Sequence, residues 1–295
     1  MAIVPRPSAL LVLASLTLAA SCGGASLDKG PAKAALEPPP IAWTAGPAGR
    51  LRVDDGGSGG LPVLFVHGLG GSHTVWTAQL DHLRKTRRAA AMDLRGNGES
   101  APPANGDYSI PAMASDVAAV ADALGLQRFV LVGHSWGGPI AACYAAQHPE
   151  RVAGILFCDP AGDLSKIPSP QREAFLKQMD QRDLMTNVRS FWEEMLKPAK
   201  PATREAVLRE LAGRPPQLFK SAWLGMFDHD TAADLARIPA PMMTVITPQN
   251  HQPYSLQTLD PAIAVREVAG VSHWIQLDDP EGFDRILDDF LAGLR

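Results

Sequence analysis

The sequence predicts an α/β fold: a mostly parallel central sheet flanked by helices, with a helical cap inserted late in the chain. Three observations carry this prediction. Short apolar runs alternate with amphipathic stretches along most of the 295 residues, as when strands buried on both faces are joined by crossover helices. A Gly-x-Ser-x-Gly motif at 133–137 stands between one apolar run and a helical pattern. From 162 to 228 the alternation stops, and six prolines separate amphipathic stretches with no strong strand run among them.

The elements follow in chain order. Arg6 precedes an uncharged run at 9–20 with small residues after it; this fits an export signal over 1–21 and is too short to span a membrane. The junction Ala19-Ala20-Ser21-Cys22 resembles a bacterial lipobox, which implies a lipidated Cys22 as first mature residue; ordinary cleavage nearby is the alternative. Residues 23–40 hold four prolines and three glycines and read as a tether. Losing the signal removes Arg6 and leaves 26 basic against 31 acidic residues, a net charge of -5. Electrostatic adhesion to anionic lipid is therefore not expected, and membrane contact comes only through a lipid anchor. The expected location is the bacterial cell envelope, or otherwise the periplasm or the medium.

The domain starts near Ile41. Strands are expected at 61–66, 88–93, 129–133, 152–159, 242–247 and 263–268, all read as buried runs. Helices are expected at 74–83, 109–124, 137–148 and 280–291, the last capped by Asp279 with Pro280 in its first turn. The core thus comprises 41–161 and 229–295, and the cap 162–228.

Composition narrows the function. With 46% hydrophobic and 20% charged residues the chain can bury a core, and a net charge of -4 without a basic run excludes ordinary nucleic-acid binding. Cys22, Cys143 and Cys158 form no CxxC pair, and Cys143 and Cys158 lie in apolar runs as inert thiols. No HExxH, EF-hand or GxxxxGK[ST] match implies a metal or nucleotide, so no cofactor is expected.

Chemistry concentrates in three places. In Gly133-His134-Ser135-Trp136-Gly137 the glycines allow a tight strand-to-helix turn around a strained nucleophile, which makes Ser135 the candidate. A helix cap by Ser135 is the bland alternative, but it explains neither glycine. At His67-Gly68-Leu69-Gly70-Gly71 the glycines let amides approach a substrate oxygen, so the N–H groups of Leu69 and Trp136 are the candidate oxyanion donors. A dinucleotide reading of Gly68-Leu69-Gly70 fails at His73, where a glycine is required.

These segments, with Asp93-Leu94-Arg95-Gly96-Asn97-Gly98-Glu99-Ser100 and Gly270-Val271-Ser272-His273-Trp274, resemble the α/β-hydrolase superfamily, in its capped serine esterase and C–C-hydrolase-like branch. Asn97 stands where many relatives have histidine, an exchange read as structurally neutral. The resemblance makes His273 the loop histidine, in the chain order serine, acid, histidine. His229 and His251 are less easily excluded as bases than the remaining histidines. The acid departs from the common pattern: after 242–247 the chain reads Pro248-Gln249-Asn250, with no carboxylate. A minority of the superfamily takes its acid from the preceding strand end, here Asp159; Asn250 as a neutral orienter, or Asp228 or Asp230, are the fallbacks. Asp278 and Asp279 are assigned to the final helix, and Trp192, Met195, Trp223, Met226 and Phe227 to cap packing with some share in an acyl pocket.

The expected protein is a serine hydrolase that cleaves a small-molecule carboxylic ester through an acyl-enzyme. C–C bond hydrolysis, amidase or acyltransferase chemistry on the same triad is an alternative, as is a non-catalytic binding lipoprotein. Ordinary epoxide-hydrolase or dehalogenase chemistry would need an aspartate where Ser135 stands.

Overall fold

The computed structural model describes residues 41–180 and 183–294. The export signal at 1–21, the tether at 22–40 and lipidation at Cys22 lie outside these residues. Among the described residues no helix is long and apolar enough to cross a membrane.

Apolar content and crossover spacing build an eight-stranded sheet. The chain runs β1 (Ile41–Gly46), β2 (Gly49–Gly56), β3 (Val63–Val66), α1 (Thr77–Leu83), β4 (Ala89–Met92), α2 (Ile110–Ala123), β5 (Phe129–His134), α3 (Gly137–Gln147) and β6 (Val152–Cys158). Next come α4 (Ser169–Asp180), α5 (Leu184–Met195), α6 (Pro201–Ala212), α7 (Pro216–Asp228) and α8 (Thr231–Leu235). The core resumes with β7 (Met242–Ile246), α9 (Leu256–Leu259), β8 (Ala264–Glu267), α10 (Ile275–Asp278) and α11 (Pro280–Gly293). The strand order is β1-β2-β4-β3-β5-β6-β7-β8. β2 lies antiparallel to β1 and β4, and the other pairings are parallel.

Successive strand residues face opposite sides, so one sequence feeds two cores. Leu64, Val66, Leu131 and Phe157 pack with α2, α3 and cap residues, whereas Val63, Phe65, Val132, Leu156 and Val245 pack with α1 and α11. β3, β5 and β6 are buried at every residue, which is why their sequences read as continuous apolar runs rather than alternations.

Two expectations need correction. β8 is no buried run: all four residues are exposed, because it is the sheet's last strand and its crossover contains only the four-residue α9. The β1–β2 hairpin gave no strand signal, since Arg50, Arg52, Asp54 and Asp55 interrupt its apolar residues. It pairs through Trp43, with the Arg50 guanidinium 4.2 Å from the indole centroid.

Two prolines of 162–228 open cap helices. Pro201 and Pro216 occupy the first turns of α6 and α7, where the missing N–H breaks no helical bond. Trp192, Phe219 and Trp223 bury themselves between these helices, Trp192 and Phe219 meeting edge to face at 5.5 Å.

Candidate active site

Parallel strands deliver their C-terminal ends to one rim of the sheet, and Leu69, Ser135, Trp136, Asp159 and His273 stand there or on loops beside the same cavity. His67 follows β3, Ser135 follows β5, Asp159 follows β6 and Thr247 follows β7. The register pairs Val66 with Gly133, His134 with Cys158, and Cys158 with Val245, so these ends sit side by side.

Ser135 lies in the left-handed region at φ 52°, and Asp159 does likewise at φ 38°. Such backbone costs a non-glycine residue on the order of 1–3 kcal/mol and persists only where surroundings enforce it. Here they do. A Cβ on Gly133 would stand 2.4 Å from the Gly137 carbonyl oxygen, and one on Gly137 2.5 Å from that of Val66. The Ser135 N–H donates to the Cys158 carbonyl (3.0 Å) and the Ala161 N–H to the Ser135 carbonyl (2.9 Å), which ties the two turns together.

The two candidate amides are aimed by the carbonyls that share their peptide planes. The Ser135 carbonyl accepts from Gly138 and Ala161 N–H, so the Trp136 N–H of the same plane points the opposite way. The Gly68 carbonyl accepts from Gly71 N–H (3.1 Å) and from His67 Nδ1 (2.7 Å), which aims the Leu69 N–H. His67 Nε2 accepts from Leu94 N–H, fixing the Nδ1–H tautomer, and burial lowers its pKa from the ordinary value, keeping the ring neutral. Among the described residues neither the Leu69 nor the Trp136 N–H donates to a protein acceptor.

His273 and Asp159 come together: Nδ1 donates to Oδ2 at 2.6 Å. The other carboxylate oxygen accepts from Thr247 N–H (2.9 Å) and Asn250 Nδ2 (3.1 Å). Burial raises the Asp159 pKa, but hydrogen bonds from His273, Thr247 and Asn250 outweigh it and leave the carboxyl below its ordinary value. The asparagine at the common acid position therefore serves the carboxylate, not the imidazole. Ser135 and His273 line the same cavity of about 750 Å³. Among the described residues no hydrogen bond joins Ser135 Oγ to His273, whose Nε2 is left with its lone pair.

The fallbacks lie elsewhere. Asp228 is exposed, Asp230 caps α8 and pairs with Lys166, His229 pairs with Asp234 and His251 with Glu267. Asp279 caps α11 as expected. Asp278 does not serve that helix: it accepts from Ser272 N–H (2.7 Å) and Lys200 N–H (2.9 Å), tying the histidine loop to the cap. Asn97 Oδ1 accepts from Gly70 N–H at 3.2 Å. His134, read only as part of the turn, donates from Nε2 to the His273 carbonyl at 2.9 Å. Burial, with His273 beside it, lowers its pKa to about 3. Nothing in local sequence distinguishes these supporting roles, because each depends on strands brought together from distant positions.

Cys143, His229 and Asp234 place one potential ligand atom each within 4.8 Å of one another. None of the three lines the cavity, and Asp234 is already bonded to His229 and Arg237. Burial pushes the Cys143 thiol up to about 12.

The profile of a family described as alpha/beta hydrolase fold matches residues 62–231, which include Ser135 and Asp159. The chain belongs to that family. Among curated relatives, the chain is 36% identical over 135 residues to the dihydrolipoyllysine-residue acetyltransferase component of the acetoin cleaving system of Cupriavidus necator, covering 46% of this chain and only 36% of that one. It is 28% identical over 267 residues to 2-hydroxymuconate semialdehyde hydrolase of Pseudomonas putida, covering 82% and 91%. Among solved structures, Est816, an N-acyl homoserine lactone degrading enzyme, superposes with TM-score 0.75 at 27% identity, over 84% of this chain and 100% of that one. A putative aryl esterase from Burkholderia cenocepacia superposes with TM-score 0.73 at 26% identity, over 86% and 98%.

Proposed function

We propose that this protein is a serine hydrolase that cleaves a carboxylic ester through an acyl-enzyme, with Ser135 as nucleophile, His273 as base and Asp159 as acid. The observation that carries the reading is the 2.6 Å bond from His273 Nδ1 to a buried Asp159 carboxylate. It leaves Nε2 as the basic nitrogen on the wall that also bears Ser135.

His273 Nε2 takes the Ser135 Oγ proton as Oγ bonds to the ester carbonyl carbon. The carbonyl electrons move onto oxygen, and the Leu69 and Trp136 N–H groups donate hydrogen bonds to that oxyanion. Asp159 holds the tautomer and stabilises the imidazolium. Nε2 then protonates the departing alkoxide as the C–O bond breaks, leaving acyl-Ser135 and an alcohol. Water repeats the sequence: Nε2 removes its proton, hydroxyl adds to the acyl carbon, and Ser135 Oγ leaves with that proton. The cavity's cap side, with Trp192, Met195, Trp223 and Met226, suits an uncharged apolar acyl or alcohol group.

Likeness to 2-hydroxymuconate semialdehyde hydrolase over most of the chain supports a second reading, in which the same groups cleave a carbon–carbon bond beside a carbonyl. Fluorophosphonate labelling followed by turnover of graded esters and a vinylogous 1,5-diketone separates them. Labelling at Ser135 with ester turnover is expected; diketone turnover alone selects the second reading, and no labelling refutes both. We further propose export through residues 1–21 and attachment to the cell envelope at Cys22, on the charge and small-residue pattern of that segment.

A further inference from the structure

A second polar cluster joins the cap to the core beside the Leu69 turn. Its centre is Arg214, in the α6–α7 loop, followed by Pro215 and Pro216, whose rings fix the chain direction. Nη1 of Arg214 donates to the Gly98 carbonyl (3.0 Å), Nε to the Gly70 carbonyl (3.3 Å) and Nη2 to Glu210. The other Glu210 oxygen accepts from Ser72 Oγ (3.0 Å) and Thr74 Oγ1 (3.1 Å). The pair is largely withdrawn from solvent, with side chains 11% and 25% exposed.

Gly70 needs such clamping. It adopts φ 78° and follows Leu69 directly, and glycine torsions are permissive enough to let a peptide turn over. From the core, Asn97 holds its N–H. From the cap, Arg214 holds its C=O, and Glu210 holds the two hydroxyls that follow. The guanidinium fork satisfies three acceptors in one plane, a geometry that an ammonium cannot reproduce.

We propose that Arg214, braced by Glu210, is a positioning residue for the oxyanion: seating of the cap fixes the loop that presents the Leu69 amide. This rests on the serine-hydrolase reading above. Without Arg214 the Gly70 C=O loses its donor, only the Asn97 acceptor on the Gly70 N–H is left, and the Leu69 N–H drifts from its line. Misplacement of about 1 Å costs up to roughly 10² in rate, and outright loss of an oxyanion donor roughly 10²–10³. Loosening one clamp should lower kcat about 10-fold while leaving KM for a short ester within about threefold.

The test uses the full chain as wild type, Arg214→Met, Arg214→Lys and Glu210→Gln, each normalised to serine labelled to completion by fluorophosphonate. kcat and KM are measured on p-nitrophenyl butyrate. Inhibition is measured with a trifluoromethyl ketone, which forms an oxyanion on Ser135, and with the matching ether, which does not. In Arg214→Met, kcat and the trifluoromethyl ketone affinity should fall together about 10-fold while ether affinity stays put; Arg214→Lys and Glu210→Gln should lie between. A lowered melting temperature with unchanged kcat per labelled serine would make the pair structural only and overturn the proposal. If Arg214→Met does not fold, the two milder variants decide by the same parallel shift, and its absence overturns the proposal. An unlabelled wild type refutes the serine-hydrolase reading first, and this proposal with it, before any variant is compared.

Discussion

Replacing Asp159 by asparagine tests the proposed acid through a specific conflict of donors. In the native site one carboxylate oxygen faces the Thr247 N–H and Asn250 Nδ2, and the other faces His273 Nδ1. An asparagine at 159 can present only one oxygen. Two protein donors already converge on the first position, so that oxygen goes there and the new amide NH2 meets His273 Nδ1. Two donors then face each other, which drives the imidazole to its Nε2–H tautomer and removes the lone pair that would accept the serine proton. The imidazolium of the transition state also loses its charged partner in a buried setting. A loss of 10²- to 10⁴-fold in kcat is expected by analogy with triad aspartates, equivalent to about 3 to 5 kcal/mol at the barrier.

Asn250→Ala removes one neutral donor from the carboxylate and should cost under about 10-fold. Asn250→Asp alone places a second carboxylate against Asp159, with a native contact of 3.1 Å, and should slow the enzyme by raising the acid's pKa. Combined with Asp159→Asn it moves the carboxylate to the neighbouring strand end and should restore part of the lost rate. Steady-state kinetics on a soluble nitrophenyl ester, with circular dichroism to confirm folding, reads all four variants. If Asp159→Asn keeps nearly full activity while Asn250→Ala is crippled, the reasoning is wrong and the acid lies elsewhere.

Ser135→Ala and His273→Ala should each lower kcat by about 10³-fold or more and the double variant little further, since the groups act as one unit; additive losses refute the pairing. His134 has a folded pKa of about 3 against an ordinary value of 6.5. Its contribution is whole above 6.5 and lost as pH falls from there through about 3, because the unfolded chain binds the proton first. Denaturant titrations should therefore show wild type losing several kcal/mol over that window and His134→Gln, which can still donate to the His273 carbonyl, losing less; parallel curves would contradict this. Asp159, with its folded pKa below 3.8, contributes stability that is complete above that value and lost as pH falls through its lower folded one, so Asp159→Asn should flatten the acid limb below pH 4. Cys22→Ser should move the protein from detergent-extracted membrane to the soluble fraction or leave its signal uncleaved; a soluble wild type starting at another residue refutes lipidation.

The strands that carry the site were legible because burial on both faces writes itself into sequence as uninterrupted apolar runs, as at Val63–Val66 and Val152–Cys158. The strand-to-helix turn around Ser135 was legible because Gly133 and Gly137 answer a local steric demand. Pairing of Asp159 with His273 spans 114 residues, and chain order narrowed that choice without fixing it. The β1–β2 hairpin escaped because ion pairs on an edge interrupt its apolar pattern. The roles of Asn97, His134, Asp278 and Arg214 escaped for another reason: each meets a backbone group, and a carbonyl or an amide leaves no residue-type signature at the position it occupies.

The Ser135 and Asp159 turns hold each other in place through the bonds from Ser135 N–H to Cys158 and from Ala161 N–H to Ser135. Both residues keep left-handed backbone at the ends of adjacent central strands, so relaxing either one means parting β5 from β6. Local fraying cannot reach that conformation cheaply. In hydrogen exchange the Ser135 and Ala161 amides should open as a single unit, with protection close to that of whole-domain unfolding, while cap amides exchange at lower cost. Opening of the cavity is thereby expected at the cap, with the Ser135 turn as its fixed side.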